Sequence, residues 1–209
     1  MRRLSIMGGL LGIAMLVASS CGDIGGSGQC GGAESSGICA SIVSIVPTDT
    51  LNGVTTSDVD ATQDPCTATG TGTGTGSATV EKWGEHAAIV TFSANLLPGV
   101  TAPPAASFVT FNQYSIVYTA SPAGTAGPPM ASFTGGAPTT ITVTTTGTVT
   151  VTLTLVSIAQ KKAYVAAGGS LTTPSAYTAT LTFTGTDEFG KSVSIQGETQ
   201  FFIGNYATC

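Results

Sequence analysis

Threonine alternating with an apolar residue recurs through the chain, and this period of two constrains the fold more than any other feature. Thr148–Leu155 sets Val149, Val151, Leu153 and Leu155 against Thr148, Thr150, Thr152 and Thr154. Tyr177–Thr184 sets Tyr177, Leu181 and Phe183 against Thr178, Thr180, Thr182 and Thr184, and Ser192–Ile203 aligns Val193, Ile195 and Phe201. Ala87–Ala94 places Ala88, Val90, Phe92 and Ala94 on one face. Phe108–Tyr118 does the same with Tyr114, Ile116 and Tyr118, and Thr140–Thr145 with Ile141 and Val143. Side chains of a strand point alternately to its two faces, so each segment reads as a strand with one buried face. A shorter β-branched run, Ala40–Val46, precedes them and is expected to stop at Pro47. Gly197 within the last strand marks a bulge or a close backbone approach. Asp187–Lys191 reads as a hairpin loop with Gly190 in the left-handed region. Breaks are expected at Pro98–Pro104 and Pro122–Pro138, and Ala159–Ala167 is the one helical turn, stopped by Gly168 and Gly169. About seven strands and almost no helix predict an all-β, antiparallel sandwich.

Composition supports a packed domain. Hydrophobic residues are 42% of the 209-residue chain and charged residues only 8%, whereas disordered chains combine low hydrophobicity with high charge. Beyond residue 20, four lysines (Lys82, Lys161, Lys162, Lys191) face eleven acidic residues, a formal charge of −7. Nucleic-acid binding needs a basic footprint, which this chain lacks. Basic adhesion to anionic lipid is equally unsupported.

The N-terminus carries its own signature. Arg2 and Arg3 lead into an apolar run, Leu4–Ala18, and Ala18-Ser19-Ser20 stands directly before Cys21. The run has 15 residues, short of the roughly 20 that span a bilayer. A positive region, a short apolar region and small residues before a cysteine resemble a bacterial lipoprotein signal, with Ala18 where Leu is commoner. The resemblance implies that Cys21 becomes the lipidated first residue and that membrane attachment comes from this lipid. The expected organisation is a signal peptide over 1–20, a Gly/Ser-rich tether over 21–38 and a β-sandwich domain over 39–209. Thr48–Ala78 is mostly polar, and its Gly-Thr tract TATGTGTGTGSA, residues 67–78, is expected to be a mobile loop.

The C-terminal run AYTATLTFTGTDEFGKSVSIQGETQFFIGNY reads as two long strands around a turn. It resembles the immunoglobulin-like or fibronectin-type sandwiches of bacterial surface lipoproteins. The Cys–Trp–Cys spacing of antibody domains is missing. The resemblance implies binding or structural work in the cell envelope, at the outer membrane or cell surface, without catalysis. Besides Cys21, the cysteines are Cys30, Cys39, Cys66 and Cys209; an even number in an exported chain suggests two disulfides, with three possible connectivities. If the first and last strands are parallel neighbours, as in many such sandwiches, Cys66–Cys209 with Cys30–Cys39 is favoured. Cys39–Cys66 with Cys30–Cys209 is the main competitor.

Chemistry-bearing residues are few. Glu85-His86 invites a general-base role, but no G-x-S-x-G supplies a nucleophile, and Trp83–His86 reads better as a turn entering a strand. Asp58, Asp60 and Asp64 miss the calcium-loop spacing, because Thr62 and Gln63 replace the third acid and the glycine. They read as a solvated acidic loop, and Asp187 and Glu188 as solvent-facing turn residues. Trp83, Tyr164, Tyr206 and Phe189 are the aromatics free for stacking on a sugar, which the pattern alone does not indicate. No C-x-x-C occurs, and no catalytic residue, metal or cofactor is assigned. The expectation is a lipid-anchored envelope protein with a binding or structural role and no enzymatic activity. An accessory subunit of an envelope assembly, with a protein partner, is the alternative, followed by an envelope hydrolase.

Overall fold

The structure is a computed structural model that describes residues 38–66, 79–96, 108–121, 124–142 and 148–206. The signal segment, Cys21, Cys30, the tether up to residue 37, the whole Gly-Thr tract (67–78) and Cys209 lie outside these residues.

Two sheets carry the fold. The first runs β2 (Val54–Thr55), β1 (Ile38–Asp49), β6 (His86–Leu96) and β9 (Thr148–Val156) in spatial order. The second runs β3 (Asp58–Asp60), β11 (Ser192–Gly204), β10 (Ser175–Asp187), β7 (Phe108–Ala120) and β8 (Phe133–Thr142). A two-stranded ladder joins β4 (Pro65–Cys66) to β5 (Thr79–Val80), and one helix, α1 (Ile158–Ala166), follows β9. The architecture is an all-β sandwich. Its named pairings are antiparallel apart from β3, which lies parallel to the end of β11. No helix among the described residues is long and apolar enough to cross a membrane.

The period-two faces meet as expected. Ala88, Val90, Phe92 and Ala94 of β6 are buried, as are Tyr114, Ile116 and Tyr118 of β7, Leu153 and Leu155 of β9, Tyr177, Leu181 and Phe183 of β10, and Ile195 and Phe201 of β11. Phe92 crosses from the first sheet to meet Phe183 edge-on at 4.9 Å and stacks on Phe111 at 5.6 Å. Such pairs add about 0.5–1.5 kcal/mol each beyond area burial. Tyr114 and Tyr118 span the sandwich and donate their hydroxyls to the carbonyls of Thr154 (3.1 Å) and Leu155 (2.6 Å) on the edge strand β9. Burial pushes the Tyr118 phenol up to about 12.

Several expectations are corrected. β1 does not stop at Pro47 but runs on to Asp49. The β1–β2 register sets Pro47 opposite Thr56, whose N–H donates to Pro47 O at 3.2 Å; Thr56 O, which the proline cannot serve, takes His86 Nε2–H at 3.0 Å instead. β8 begins at Phe133, inside the expected Pro/Gly break, because its pairing with β7 shifts register between Phe111 and Gln113 and so accommodates irregular backbone. The stretch around Asp58, Asp60 and Asp64 is not a solvated acidic loop: Asp58–Asp60 form β3 between β2 and β4 in the chain, Val59 is 0% exposed in the core and Asp60 is partly buried. Asp187 faces inward rather than to solvent, at 5% exposed; its Oδ1 accepts the N–H groups of Phe189 and Lys191 and so closes the hairpin, where Gly190 has φ +76°. The first and last strands are not hydrogen-bonded neighbours. β1 pairs with β6 and β2, β11 pairs with β10 and β3, and the two face each other from opposite sheets. Gly197 therefore marks a close approach across the sandwich: a Cβ there would meet Ile45 Cδ1 at 2.8 Å.

Gly185 sits beside the β7–β10 bulge, where a Cβ would lie 1.9 Å from Thr110 O, whereas a Cβ on Gly136 of β8 would meet nothing within 4 Å. Gly185→Ala is expected to cost about 2–3 kcal/mol, the range for overpacking a site that cannot relax. Gly136→Ala should stay within about 0.5 kcal/mol of wild type, as ordinary surface changes do. Urea unfolding of the two variants checks the contrast; equal midpoints would refute the close backbone crossing.

Candidate functional site

Period-two alternation builds the site as well as the core. In β3, Val59 points into the core while Asp58 and Asp60 share the opposite face. That face lines a cavity of about 360 Å³ at one pole of the sandwich, where β1 ends in Asp49, β6 starts at His86, α1 begins and the chain leaves β11 at Tyr206. Trp83, Glu85, Leu51, Asn52 and Lys161 complete its working surface. Trp83, Glu85, His86, Asp58, Asp60 and Tyr206 all carried sequence-level suspicion, and the fold gathers them here. Asp64 does not join them; its Oδ2 accepts from Asn205 Nδ2 at 2.7 Å. Phe189 is exposed on the β10–β11 hairpin, away from this lining. Tyr164 is buried rather than free for stacking: its hydroxyl meets Ser170 O and Ser175 Oγ at 2.9 Å, which ties α1 to the end of the second sheet.

Lys161 was not legible from the sequence as a site residue. Ser157 caps α1, with Gln160 N donating to its Oγ at 3.3 Å and Gln160 Oε1 accepting from Ser157 N at 2.9 Å, a reciprocal capping box. Gln160 Nε2 also donates to Ala131 O at 2.8 Å. This fixes the first turn and aims Lys161 at the cavity. The side chain is 3% exposed, and its Nζ lies 5.4 Å from the centre of the Trp83 ring. The buried side-chain polar atoms left without a partner among the described residues are Asp60 Oδ2 and Thr62 Oγ1, and Lys161 Nζ is not one of them: the stem is buried while the ammonium belongs to the cavity lining. Burial lowers its pKa, against the pull of Asp60, Asp49, Glu81 and Glu85.

The carboxyl groups are held differently. Burial raises Asp49, but the Asn52 amide, the N–H groups of Asn52 and Leu51, and His86 outweigh this and hold it below the ordinary carboxylate value. Asp60 goes the other way, pushed up to about 7 by burial and by the neighbouring Glu81 carboxyl, although Tyr206 N–H donates to its Oδ1 at 3.1 Å. Its Oδ2 is buried and meets no N–H or O–H donor among the described residues. A proton held between Asp60 and Glu81 satisfies it. Glu81, 3% exposed, also accepts from Asp64 N at 2.8 Å and so clamps the loop after β3. Trp83 Nε1 donates to Asp60 O at 3.1 Å, fixing the indole.

His86 is 2% exposed and gives Nε2–H to Thr56 O at 3.0 Å. Burial, aided by Lys161, lowers its pKa and keeps the ring neutral near pH 7. Tyr206 is raised to about 12 by burial and by its hydrogen bond to Asp58, so its phenol stays protonated. Among the described residues no group of three or more His, Cys, Asp or Glu side chains is placed to hold a metal ion. The lining offers a fixed indole, a second aromatic ring, a charged donor and several carboxyl acceptors, a set suited to orienting a small polar ligand.

Asp60 gives the site a pH signature. Its folded pKa lies above the unfolded value of 3.8, so the folded state holds the extra proton between about pH 4 and pH 7. This group's contribution to stability is full below that window and is lost as pH rises through 7. Asp60→Asn keeps a donor toward Glu81 and removes the titration. Its melting temperature should gain on wild type between pH 4 and 8 by on the order of 2–4 °C, a shift equivalent to about 1 kcal/mol after discounting for solvent screening. Parallel pH profiles of the two proteins would sink this assignment.

No family model, curated protein or solved structure matches this chain.

Proposed function

We propose that this chain is a lipid-anchored binding protein of the bacterial cell envelope, attached through Cys21 and taking a small ligand in the polar cavity. The observation that carries the binding role is the lining of the cavity, where a fixed indole, the Lys161 ammonium and several carboxyl groups converge at one pole of the sandwich. A mostly buried lysine and a carboxyl held near neutrality are costs that natural proteins retain where function needs them. Catalysis is not assigned: His86 spends Nε2 on a backbone carbonyl and is a poor candidate for a base. A second reading, an accessory subunit that lends a strand edge to a partner, is favoured by β1. Among the described residues, β2 covers only Thr48 and Asp49 on its outer side, and Val43 beside the β1 bulge is exposed.

The disulfide proposal gains support from a different topology than the one expected. Cys39 is disulfide-bonded, and ten residues of β1 separate it from Asp49 at the cavity, about 33 Å of extended chain. The segment leading to Cys66 lies at the cavity end, where Asp64 is bonded to Asn205, four residues before Cys209. A bridge needs Cα atoms within roughly 7 Å. This favours Cys66–Cys209 at one pole and Cys30–Cys39 at the other.

Three measurements test these proposals. Cys21→Ala is expected to release the protein from membranes or leave its precursor uncleaved; an unmodified Cys21 in a membrane-bound wild type would refute the anchor. Peptide mapping without reduction should recover Cys66 joined to Cys209, and a Cys39–Cys66 peptide would refute the pairing. Thermal-shift screening of the full-length protein against sugars, amino acids, nucleosides and short peptides should find a class that stabilises wild type. If none does, the binding role is wrong.

A further inference from the structure

We infer that the ligand of this cavity is a saccharide of one or two rings, with Trp83 as its stacking platform and Lys161 as the buried donor to its oxygens. The inference rests on the binding role proposed above and narrows it to one class of ligand. Three features select that class.

The first is the mixture of donors and acceptors. Lys161 brings an ammonium to the lining, while Asp58, which accepts from Tyr206, and Glu85, whose Oε2 accepts from Thr154 Oγ1 at 2.9 Å, present carboxylates at the exposed lip. A purely anionic or purely cationic ligand could meet one set only. A sugar hydroxyl donates and accepts at once, so neighbouring hydroxyls can bond to the ammonium and to the carboxylates together.

The second is charge. With Asp60 pushed up to about 7, Asp49, Asp58 and Glu85 still outnumber Lys82 and Lys161 around the cavity. An anionic ligand drawn to Lys161 would be repelled by this surround. A cationic ligand seeking the Trp83 face would meet the Lys161 ammonium already 5.4 Å from the ring centre. A neutral ligand avoids both penalties, and a purely apolar one would strip the ammonium of water without replacing its acceptors.

The third is shape. The indole is fixed by its bond to Asp60 O, with Tyr206 in the same lining and Leu51 and Val54 exposed at the lip. Aromatic faces pack against the C–H faces of a ring while polar groups read its edge. The volume of about 360 Å³ sits near the lower end of the roughly 300–1,000 Å³ typical of small-molecule sites, which suits one or two rings rather than a long chain.

Trp83 is the single tryptophan of the chain, so its emission reports occupancy directly. The full-length protein in detergent micelles is titrated with glucose, galactose, mannose, N-acetylglucosamine and their β-linked disaccharides, and in parallel with glycine, lysine, citrate and adenosine. At least one saccharide is expected to shift the Trp83 emission saturably and to raise the melting temperature. Lys161→Met, which keeps an unbranched side chain of similar length in the buried site, should weaken that binding at least tenfold. Asp58→Ala, an exposed change that leaves the core untouched, should weaken it severalfold, and Phe189→Ala on the distant hairpin should leave it unchanged. Saturable binding of a non-saccharide alone would overturn the sugar assignment and leave the binding role standing. Saccharide binding unaffected by both Lys161→Met and Asp58→Ala would also overturn it. No response to any probe would overturn both.

Discussion

The sandwich depends on one set of contacts, the aromatic cluster that bolts its two sheets together. Phe92 from the first sheet meets Phe111 and Phe183 from the second, and Tyr114 stacks near Phe183 at 6.0 Å. Two strands of the second sheet and the central strand of the first are thereby held at a fixed separation. That separation lets the hydroxyls of Tyr114 and Tyr118 reach the carbonyls of β9. An edge strand with exposed carbonyls invites pairing with other chains; here two tyrosines from the opposite sheet engage them. At the other side of the sandwich, Gly197 gives Ile42 and Ile45 room to press against β11. Large residues set the spacing at the centre, and a missing side chain sets it near β1.

The cavity is a consequence of how that scaffold ends. β3 adds in parallel to the last residues of β11, so Val59 closes the core while its neighbours Asp58 and Asp60 turn to the cavity. α1 is then laid across the same end by Tyr164 and its capping box, which delivers Lys161. Carboxyl groups eleven residues apart in the sequence, at 49 and 60, behave in opposite senses for this reason. Asp49 sits in a turn rich in N–H donors and favours its charge, whereas Asp60 is half-buried beside Glu81 and resists it. The site is costly to assemble: desolvation of Lys161 and a carboxyl that resists ionisation both oppose folding near neutral pH. The packed sandwich behind it supplies the stability that offsets them.

Much of this protein was written in its sequence. Strand faces were legible because alternation is a local property: Val149, Leu153, Phe183 and Phe201 each announce their side of a sheet through their immediate neighbours. α1 was legible from Gly168-Gly169 and its flanking residues, whereas Trp83, Glu85, His86, Asp58, Asp60 and Tyr206 stood out in the sequence without being assigned a site, and only the fold lines one cavity with them. Pairing was not legible. Which strands lie side by side depends on how the buried faces complement one another across the chain, and β1 and β11 proved to face each other rather than to pair. Val59 was missed because a three-residue strand is too short to display a period. Lys161 was missed because a lysine in a helical turn looks solvent-exposed until the tertiary structure buries its stem and leaves its ammonium under Trp83. The sequence by itself determined an all-β chain with alternating faces; only the tertiary structure decided that six scattered polar and aromatic residues and one buried lysine share a single cavity, because proximity across distant segments is a property of packing and not of local order.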